Sequence, residues 1–250
     1  MRLLKEEFKK VNLFIEVRDA RIPVTSQNHQ LIELLPQQMK RVVVYNKMDL
    51  ANQKTTLELI NQIHEQDGLP WIHTSTKTNS NISKLLKKVA ETSPQKFKTV
   101  GTWAMIGGVP NIGKSTLINA LRAKDTDIKS KSSRAGARTG AGPCLTKSIS
   151  GFKVVSDPLM YLVDTPGIIV PKIREESEDG LKLAACHAIR DGILEDTMIC
   201  DYVLYQLNKN RVFGYVKKYD LPYSQPTDDI YTLLGCIQTR LGLQSRNDVA

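Results

Sequence analysis

Two short polar motifs stand in this chain in an order that strongly restricts its fold. The sequence Asn-Lys-Met-Asp at residues 46–49 precedes the sequence Gly-Val-Pro-Asn-Ile-Gly-Lys-Ser at residues 108–115. The second motif has the spacing of a phosphate loop, whose backbone N–H groups surround phosphates, and the first has the form that recognises guanine. Where both serve one nucleotide, the guanine motif ordinarily follows the phosphate loop. The reversed order therefore predicts a circularly permuted nucleotide-binding domain.

Strand and helix patterns alternate through the first part of the chain, as they do in doubly wound α/β domains. Apolar, β-branched runs predict parallel strands at residues 13–17, 42–45, 71–74 and 102–106. Helical spacing predicts helices at residues 3–10, 57–66, 82–90 and 114–121. An antiparallel pair at a sheet edge is predicted at residues 149–155 and 160–163. The predicted fold class is α/β, a P-loop GTPase type of domain with permuted motif order.

The pattern changes after Pro171, where helical spacing continues without intervening strands. The predicted helices of this part are residues 181–189, 198–207 and 230–241. We therefore predict two domains, residues 1–172 with the nucleotide motifs and residues 173–250 as a small all-helical domain. The predicted joint between the permuted halves is residues 92–98, because Ser93-Pro94 breaks the periodicity there.

Charge and composition bound the class of partner. Lys and Arg number 35 against 26 Asp and Glu, a formal net charge of +9, which favours nucleic acid or an acidic membrane surface as partner, with solubility alone as the alternative. No stretch of sequence is long and apolar enough to span a bilayer, so we expect no transmembrane segment. Glu6 and Glu7 argue against a secretory signal or a transit peptide in this chain. The four cysteines lack the close paired spacing of zinc or redox sites.

Basic residues concentrate in a predicted long loop, residues 123–147, and again near Phe213 and Tyr215. Basic side chains beside aromatic rings suit phosphate contact and base stacking, and a solvated charged face is the alternative. The basic residues are Lys124, Lys129, Lys131, Arg134, Arg138 and Lys147 in the loop, and Lys209, Arg211, Lys217 and Lys218 in the second cluster.

The phosphate loop follows a predicted strand and precedes a predicted helix, which is the context that the motif requires. Its glycines let the backbone approach phosphates, and the helix N-terminus faces them. We expect Lys114 to neutralise the β- and γ-phosphates and Ser115 to give its hydroxyl to Mg²⁺. The loop residues expected at the nucleotide are Asn111, Ile112, Gly113, Lys114, Ser115 and Thr116.

The Asn-Lys-Met-Asp motif also follows a predicted strand, so its side chains lie at the carboxyl edge where open α/β sheets bind nucleotides. Asp49 can accept hydrogen bonds from both N–H donors of guanine, which adenine lacks. Asn46 would hold the position of the base, and the stem of Lys47 would lie over its face. The turn after the next strand is a weaker match to the GTPase turn whose backbone meets the guanine oxygen. The alternative is that this turn caps the helix that follows it. Its residues are Ser75, Thr76 and Lys77.

Three further residues are candidates for contact with Mg²⁺ and the γ-phosphate. Asp164 ends a predicted strand and is expected to reach Mg²⁺ through water, and the amide of Gly167 is expected to meet the γ-phosphate. Thr146 is favoured over Thr139 as the second hydroxyl on Mg²⁺, because it directly precedes a predicted strand.

The residue after Gly167 affects the expected rate of GTP hydrolysis. Many GTPases place glutamine there to orient water, but this chain has Ile168, whose side chain cannot polarise water. We therefore expect slow intrinsic hydrolysis. The carbonyl of Asn111 could hold K⁺ against the phosphates, and a simple turn-forming role is the alternative. The candidate catalytic residues are Lys114, Thr146, Gly167 and Asn111.

The ordered set of motifs resembles the circularly permuted ribosome-assembly GTPases. The closer resemblance is to the mitochondrial ribosome-associated GTPase group, counterparts of the bacterial ribosome biogenesis GTPase A. Besides the motifs above, the resemblance depends on Asp-Ala-Arg-Ile-Pro at residues 19–23, Gly-Leu-Lys-Leu-Ala at 180–184, Asp-Tyr-Val-Leu-Tyr at 201–205 and Arg-Val-Phe-Gly-Tyr at 211–215.

The resemblance implies GTP hydrolysis coupled to assembly of the large ribosomal subunit, with the helical domain binding ribosomal RNA. It also implies support of mitochondrial translation, a matrix location and peripheral association with the inner membrane. Relatives usually carry a Pro-Gly-His-Met type segment near the N-terminus and further helix after residue 250, so we expect this chain to be truncated at both ends. The alternative functions are a non-hydrolysing, GTP-dependent RNA-binding assembly factor, and a GTPase that acts on transfer RNA or at a membrane.

Overall fold

A six-stranded sheet forms the centre of the nucleotide-motif region. The computed structural model describes residues 6–93, 101–124, 150–155, 159–164, 177–189 and 192–242. The strands are β1 Leu13–Asp19, β2 Lys40–Asn46, β3 Trp71–His73, β4 Thr102–Gly107, β5 Ser150–Val155 and β6 Met160–Asp164. Their order across the sheet is β3-β2-β1-β4-β6-β5. All neighbours pair in parallel except β5, which is antiparallel to β6.

β1 is buried along its whole length. All seven of its residues, Leu-Phe-Ile-Glu-Val-Arg-Asp, are buried between β2 and β4. A continuous apolar run is typical of a parallel strand covered on both faces. Glu16, Arg18 and Asp19 depart from that rule, and charged groups so deeply buried need partners.

The register of the parallel strands aligns their carboxyl ends. Asp19 of β1 lies opposite Asn46 of β2, and Ile106 of β4 lies opposite Asp164 of β6. The loops after β1, β2, β3 and β4 therefore emerge at one edge of the sheet. This is the edge at which open α/β sheets bind ligands.

Helices connect these strands and cover the sheet. They are α1 His29–Ile32, α2 Gln53–Asp67, α3 Ile82–Thr92 and α4 Lys114–Arg122. The side chain of Asn52 accepts a hydrogen bond from the amide of Thr55 and caps α2, which ends at Gly68 with a φ of 64°. Ile60 of α2 packs with Val43 and Tyr45 of β2 in a buried apolar cluster.

A second set of helices follows: α5 Glu178–Ala185, α6 Asp196–Lys209, α7 Gly214–Lys218 and α8 Ile230–Leu241. Leu204, Val216 and Leu233 belong to an apolar core that α6, α7 and α8 share. The helix predicted at residues 181–189 ends four residues earlier, because the chain turns at His187 with a φ of 54°. The short helix α7 was not predicted, since five residues carry too little periodicity to be detected.

The chain separates into two compact units. The first consists of Met1–Ile173 and Cys186–Arg190, and the second of Arg174–Ala185 and Asp191–Ala250. The prediction placed a single boundary after residue 172, so it did not assign Cys186–Arg190 to the first unit. Thr92 and Ser93 end α3, and the rest of the predicted joint and most of the predicted long loop lie outside the described residues. Within the described part of the chain, no helix combines the length and apolar character that a membrane crossing requires.

Candidate nucleotide-binding site

The phosphate loop connects β4 to α4 and depends on glycine at two positions. Gly108 has a φ of 152°, and a Cβ there would lie 2.2 Å from the carbonyl oxygen of Val17. Gly113 has a φ of 91°, and a Cβ there would lie 2.6 Å from Nδ2 of Asn46. Side chains at either position would push the loop away from β1 and β2. The loop is therefore packed directly on the strand ends that carry the other motif.

Asn46 joins three segments of the site. Its Nδ2 donates to the carbonyl of Ile112 in the phosphate loop at 2.9 Å. Its Oδ1 accepts from the hydroxyl of Thr74 and from the amide of Thr76, each at 3.3 Å. Asn46 is completely buried, so these hydrogen bonds are shielded from water. The guanine motif, the phosphate loop and the turn after β3 thus meet at one side chain.

Lys47 makes a second connection to the phosphate loop. Its backbone is left-handed, with a φ of 62°, and its Nζ donates to the carbonyl of Asn111 at 2.7 Å. The same Nζ lies 3.2 Å from Oδ2 of Asp19. A left-handed lysine is strained and persists when its surroundings hold it. Both contacts extend the Lys47 stem along the site instead of into solvent.

Lys114 places a positive charge at the phosphate loop. It is the first residue of α4, only 8% exposed, and its Nζ donates to the carbonyls of Val109 at 2.7 Å and Gly108 at 3.2 Å. The N-terminus of a helix attracts anions through its backbone N–H groups and dipole. Ser115 is half-buried in the same first turn, and Thr116 is exposed. The arrangement is suited to holding a polyphosphate.

The residues expected to meet the base differ in exposure. Asp49 is exposed on the short 3₁₀ turn Met48–Leu50, where its carboxylate can meet a ligand. Ser75 is buried, and its hydroxyl accepts a hydrogen bond from the amide of Thr78, which closes the turn. Lys77 is exposed on that turn. Ser75 therefore shapes the turn with its side chain, while Asp49 has the group that is available to guanine.

Several predicted residues lie outside the described part of the chain. Thr146, Gly167 and the isoleucine at 168 are among them, as is Thr139. For Asp164 the strand itself is described, and its position opposite Ile106 puts it at the same sheet edge as the phosphate loop.

Asp19 and Arg21 belong to the site, although the residue patterns gave them no role there. Asp19 is completely buried and accepts hydrogen bonds from Arg21 Nε at 2.9 Å and Nη2 at 2.7 Å. Burial raises the pKa of Asp19, but the hydrogen bonds from Arg21 and the charge of Lys47 outweigh it and hold that pKa below its usual value. An acidic residue at the carboxyl end of an apolar strand was the signal that could have identified Asp19.

The permuted α/β sheet and the joined motifs define this chain as a GTPase with a circularly permuted domain. The sequence profile of the RsgA GTPase family matches residues 10–174, and the chain belongs to that family. It therefore hydrolyses GTP, as members of this family do.

The relatives are similar over most of the chain. Mitochondrial ribosome-associated GTPase 1 of Ictalurus punctatus is 36% identical, over 95% of this chain and 74% of the relative. The protein of that name in Mus musculus is 35% identical, over 88% and 68%. Ribosome biogenesis GTPase A of Bacillus pumilus is 33% identical, over 96% and 82%. The GDP-bound structure of TM YlqF covers 97% of this chain with 95% of its own, at 24% identity and a TM-score of 0.59, and so shares the fold.

Proposed function

We propose that this GTPase acts in assembly of the large ribosomal subunit in mitochondria and so supports mitochondrial translation. The observation that carries the GTP-dependent part of the proposal is the hydrogen bond from Asn46 to Ile112, which joins the two reversed motifs in one site. The names of the relatives in fish, mouse and Bacillus pumilus support a ribosomal role, and the first two support a mitochondrial location. The proposed location is the matrix, with peripheral association at the inner membrane.

Guanine recognition is assigned to the loops after β2 and β3. Asp49 accepts hydrogen bonds from the base, and the stem of Lys47 lies over it. Asn46 fixes the loop that carries both residues, because its amide group is already bonded to Ile112 and to the turn after β3. The backbone of that turn, at Ser75, Thr76 and Lys77, meets the guanine oxygen.

The phosphates and Mg²⁺ are assigned to the phosphate loop and to the end of β6. The donor chemistry fits this metal, since Mg²⁺ prefers oxygen ligands and is usually bound with the substrate phosphates. The hydroxyl of Ser115 lies in the first turn of α4, and Asp164 ends the strand beside β4. Mg²⁺ would neutralise charge on the β- and γ-phosphates. Thr146 completes the proposed set of ligands.

Hydrolysis is assigned to main-chain groups and cations instead of a glutamine. Lys114 stabilises charge on the phosphates, and the amide of Gly167 holds the γ-phosphate. Asn111 is exposed, with a φ of 55°, and its main-chain carbonyl is bonded to Lys47, so its side-chain oxygen is the group assigned to K⁺. A cation there would stabilise the transition state electrostatically.

The helical unit is assigned to ribosomal RNA. Lys209 Nζ lies 5.4 Å from the ring centre of Tyr205, and Lys218 Nζ lies 5.2 Å from that of Tyr219. The rings of Tyr205 and Phe213 are exposed and offer surfaces on which bases stack. Tyr215 is not such a surface. It is 7% exposed, and its hydroxyl donates to Oδ1 of Asn208 at 2.6 Å.

In the proposed cycle, the GTP form binds the immature large subunit and hydrolysis releases it. The order of the chain supports this, since the segment after Asp164 leads to the helical unit within few residues. The direct test is the affinity for large subunits with a GTP analogue and with GDP. We expect tighter binding with the analogue, and equal affinities would rule out the switch. Phosphate release in K⁺ and in Na⁺, with and without subunits, tests whether K⁺ and the subunit stimulate turnover.

Base specificity is tested by Asp49→Asn. We expect the variant to lose at least about 100-fold in GTP affinity, because asparagine offers a mismatched amide where the carboxylate of Asp49 offers two acceptors to guanine. Affinity for xanthosine triphosphate should rise in parallel, since that base offers the matching acceptor. Unchanged GTP affinity would remove Asp49 from the guanine site.

RNA binding is tested by a matched pair of aromatic substitutions. Tyr205→Ala removes an exposed ring, and Tyr215→Phe removes only the hydroxyl of a buried one. We expect Tyr205→Ala to weaken binding to ribosomal RNA by about 1 to 3 kcal/mol, the contribution of one stacked base. Tyr215→Phe should leave RNA affinity unchanged. Equal affinities for both variants and the original chain would place the RNA contact elsewhere.

A further inference from the structure

The carboxylate of Asp19 makes four polar contacts at the sheet edge. Its side chain is 0% exposed, and Oδ1 accepts from the amide and Nε of Arg21 at 3.0 and 2.9 Å. Oδ2 accepts from Nη2 of Arg21 at 2.7 Å and pairs with Nζ of Lys47 at 3.2 Å. A buried carboxylate with this many partners is ionised and rigid. It supplies a fixed negative charge beside the guanine motif.

Lys47 is the residue that this charge controls. Its Nζ is shared between Asp19 and the carbonyl of Asn111, which determines the path of its stem. Without the carboxylate, a lysine with four rotatable bonds would gain rotamer freedom, and ordering it on a base would cost side-chain entropy. Because Asp19 orders Lys47 before the nucleotide binds, less side-chain entropy is lost on nucleotide binding.

Arg21 holds Asp19 and extends the same group of contacts. Its fork of two nitrogens binds both carboxylate oxygens, and Nη2 also donates to the carbonyl of Cys186 at 3.0 Å. The hydrogen bond to Asp19 raises the pKa of Arg21, and the charge of Asp49 acts in the same direction. Arg21 thus connects the guanine motif to the segment Cys186–Arg190, which belongs to the same unit.

We infer that Asp19 and Arg21 are positioning residues for guanine binding, which hold Lys47 over the base and attach the segment at Cys186 to the same group of contacts. This inference rests on the proposed guanine site. Neither residue touches the nucleotide. Their effect is on the affinity for the base, which is the same in the ground state and the transition state.

The first consequence is a separation of KM from kcat. Uniform binding of a distant part of the substrate changes KM and leaves kcat unchanged. Asp19→Asn should therefore raise the KM for GTP and the Kd for GDP by about 10-fold, while kcat stays within about 2-fold. The 10-fold change corresponds to a loss of about 1.4 kcal/mol in binding free energy, because Lys47 is no longer ordered before the nucleotide binds. A purely structural role would lower stability without this separation.

The decisive experiment is a double-mutant cycle on the full chain with Asp19→Asn and Lys47→Met, read out as Kd for GDP. If Asp19 acts through Lys47, the double variant binds GDP no more weakly than the weaker single variant. If the two substitutions instead raise the Kd for GDP by factors that multiply in the double variant, the inference is overturned. Glu16→Gln is the matched control, because it also neutralises a buried carboxylate of β1. It should leave Kd for GDP unchanged, even though it lowers thermal stability.

Two further measurements keep the outcomes distinct. Failure of the original chain to bind GDP would refute the proposed function, whereas normal binding by Asp19→Asn would refute only this inference. If Asp19→Asn does not fold, Arg21→Lys decides. Its side chain is 23% exposed, and the change keeps the charge but removes the two-nitrogen fork. We expect about 3-fold weaker GDP binding at unchanged kcat, and an unchanged Kd would overturn the assignment.

Discussion

Two buried ionic clusters occupy the same strand, and they serve different ends. Near the middle of β1, Arg18 Nε donates to Glu16 Oε1 at 2.7 Å, and both side chains are 2% exposed. At the end of β1, Asp19 pairs with Arg21 and Lys47. The first cluster is surrounded by other side chains, whereas the second faces the loops at the carboxyl edge. Position along a parallel strand decides whether a buried charge stabilises the fold or shapes a site.

The cluster near the middle of β1 extends through aromatic groups. Arg18 also donates to the hydroxyl of Tyr45 at 3.4 Å, which lies 2.9 Å from Nε2 of His64. His64 Nδ1 lies 2.8 Å from Oδ1 of Asp67, and the His64 ring stacks on Trp71 at 5.8 Å. Burial raises the pKa of Tyr45 to about 12, although the charge of Arg18 opposes this. The network joins β1, β2 and α2, and contains no residue of the nucleotide motifs.

Arg18→Met has the largest expected effect. It leaves the carboxylate of Glu16 buried with only Arg41, 3.6 Å away. We expect the free energy of unfolding to fall by about 3 to 5 kcal/mol, because an uncompensated buried charge is costly. Urea denaturation measures this loss. Adding Glu16→Gln should restore part of the stability, and GDP affinity of the folded protein should be unchanged. Weakened GDP binding would abolish the contrast between the two clusters.

Asn46→Ala is expected to have the next largest effect, on the other side of the comparison. It removes the hydrogen bond to Ile112 and both bonds to the turn after β3. We expect about 10- to 100-fold weaker GDP binding, equivalent to about 1.4 to 2.7 kcal/mol. Titration calorimetry measures the change. GDP affinity within twofold of the original chain would mean that Asn46 does not organise the site.

Tyr45→Phe tests the cluster near the middle of β1 with a smaller change. It removes a hydroxyl bonded to Arg18 and His64 while keeping the buried ring. Thermal denaturation should reveal a loss of about 1 kcal/mol in the free energy of unfolding, the usual value for one hydrogen bond. Kd for GDP serves as the control and should not change. A stability loss above about 3 kcal/mol would indicate that the hydroxyl supports the whole network.

The smallest expected effect is the pH dependence of Asp19. Its folded pKa lies below the unfolded value of about 3.9, so its stabilisation is complete above that pH and is lost as pH falls through the folded pKa. The stability difference between the original chain and Asp19→Asn should therefore be constant near neutral pH and narrow in acid. Urea denaturation at about pH 6 and about pH 3 measures it. A stability difference that grows in acid would contradict a folded-state pKa of Asp19 below the unfolded value.

The sheet was predictable because its signals are local. Strands β1, β2 and β4 are short apolar runs followed by polar turns, and each begins and ends within three residues of its predicted bounds. The antiparallel pair of β5 and β6 was also confirmed. Helix α7 was missed because five residues carry little periodic signal, and the end of α5 was misplaced because the turn at His187 has no glycine to mark it.

The sequence by itself determined the class of protein, since the reversed order of two motifs is a property of the chain alone. Only the tertiary structure decided which side chains hold the motifs together. The contacts of Asn46 with Ile112 and of Asp19 with Lys47 join residues far apart in the chain. They exist because parallel strands in register bring their carboxyl ends to one edge, and no local pattern records that pairing.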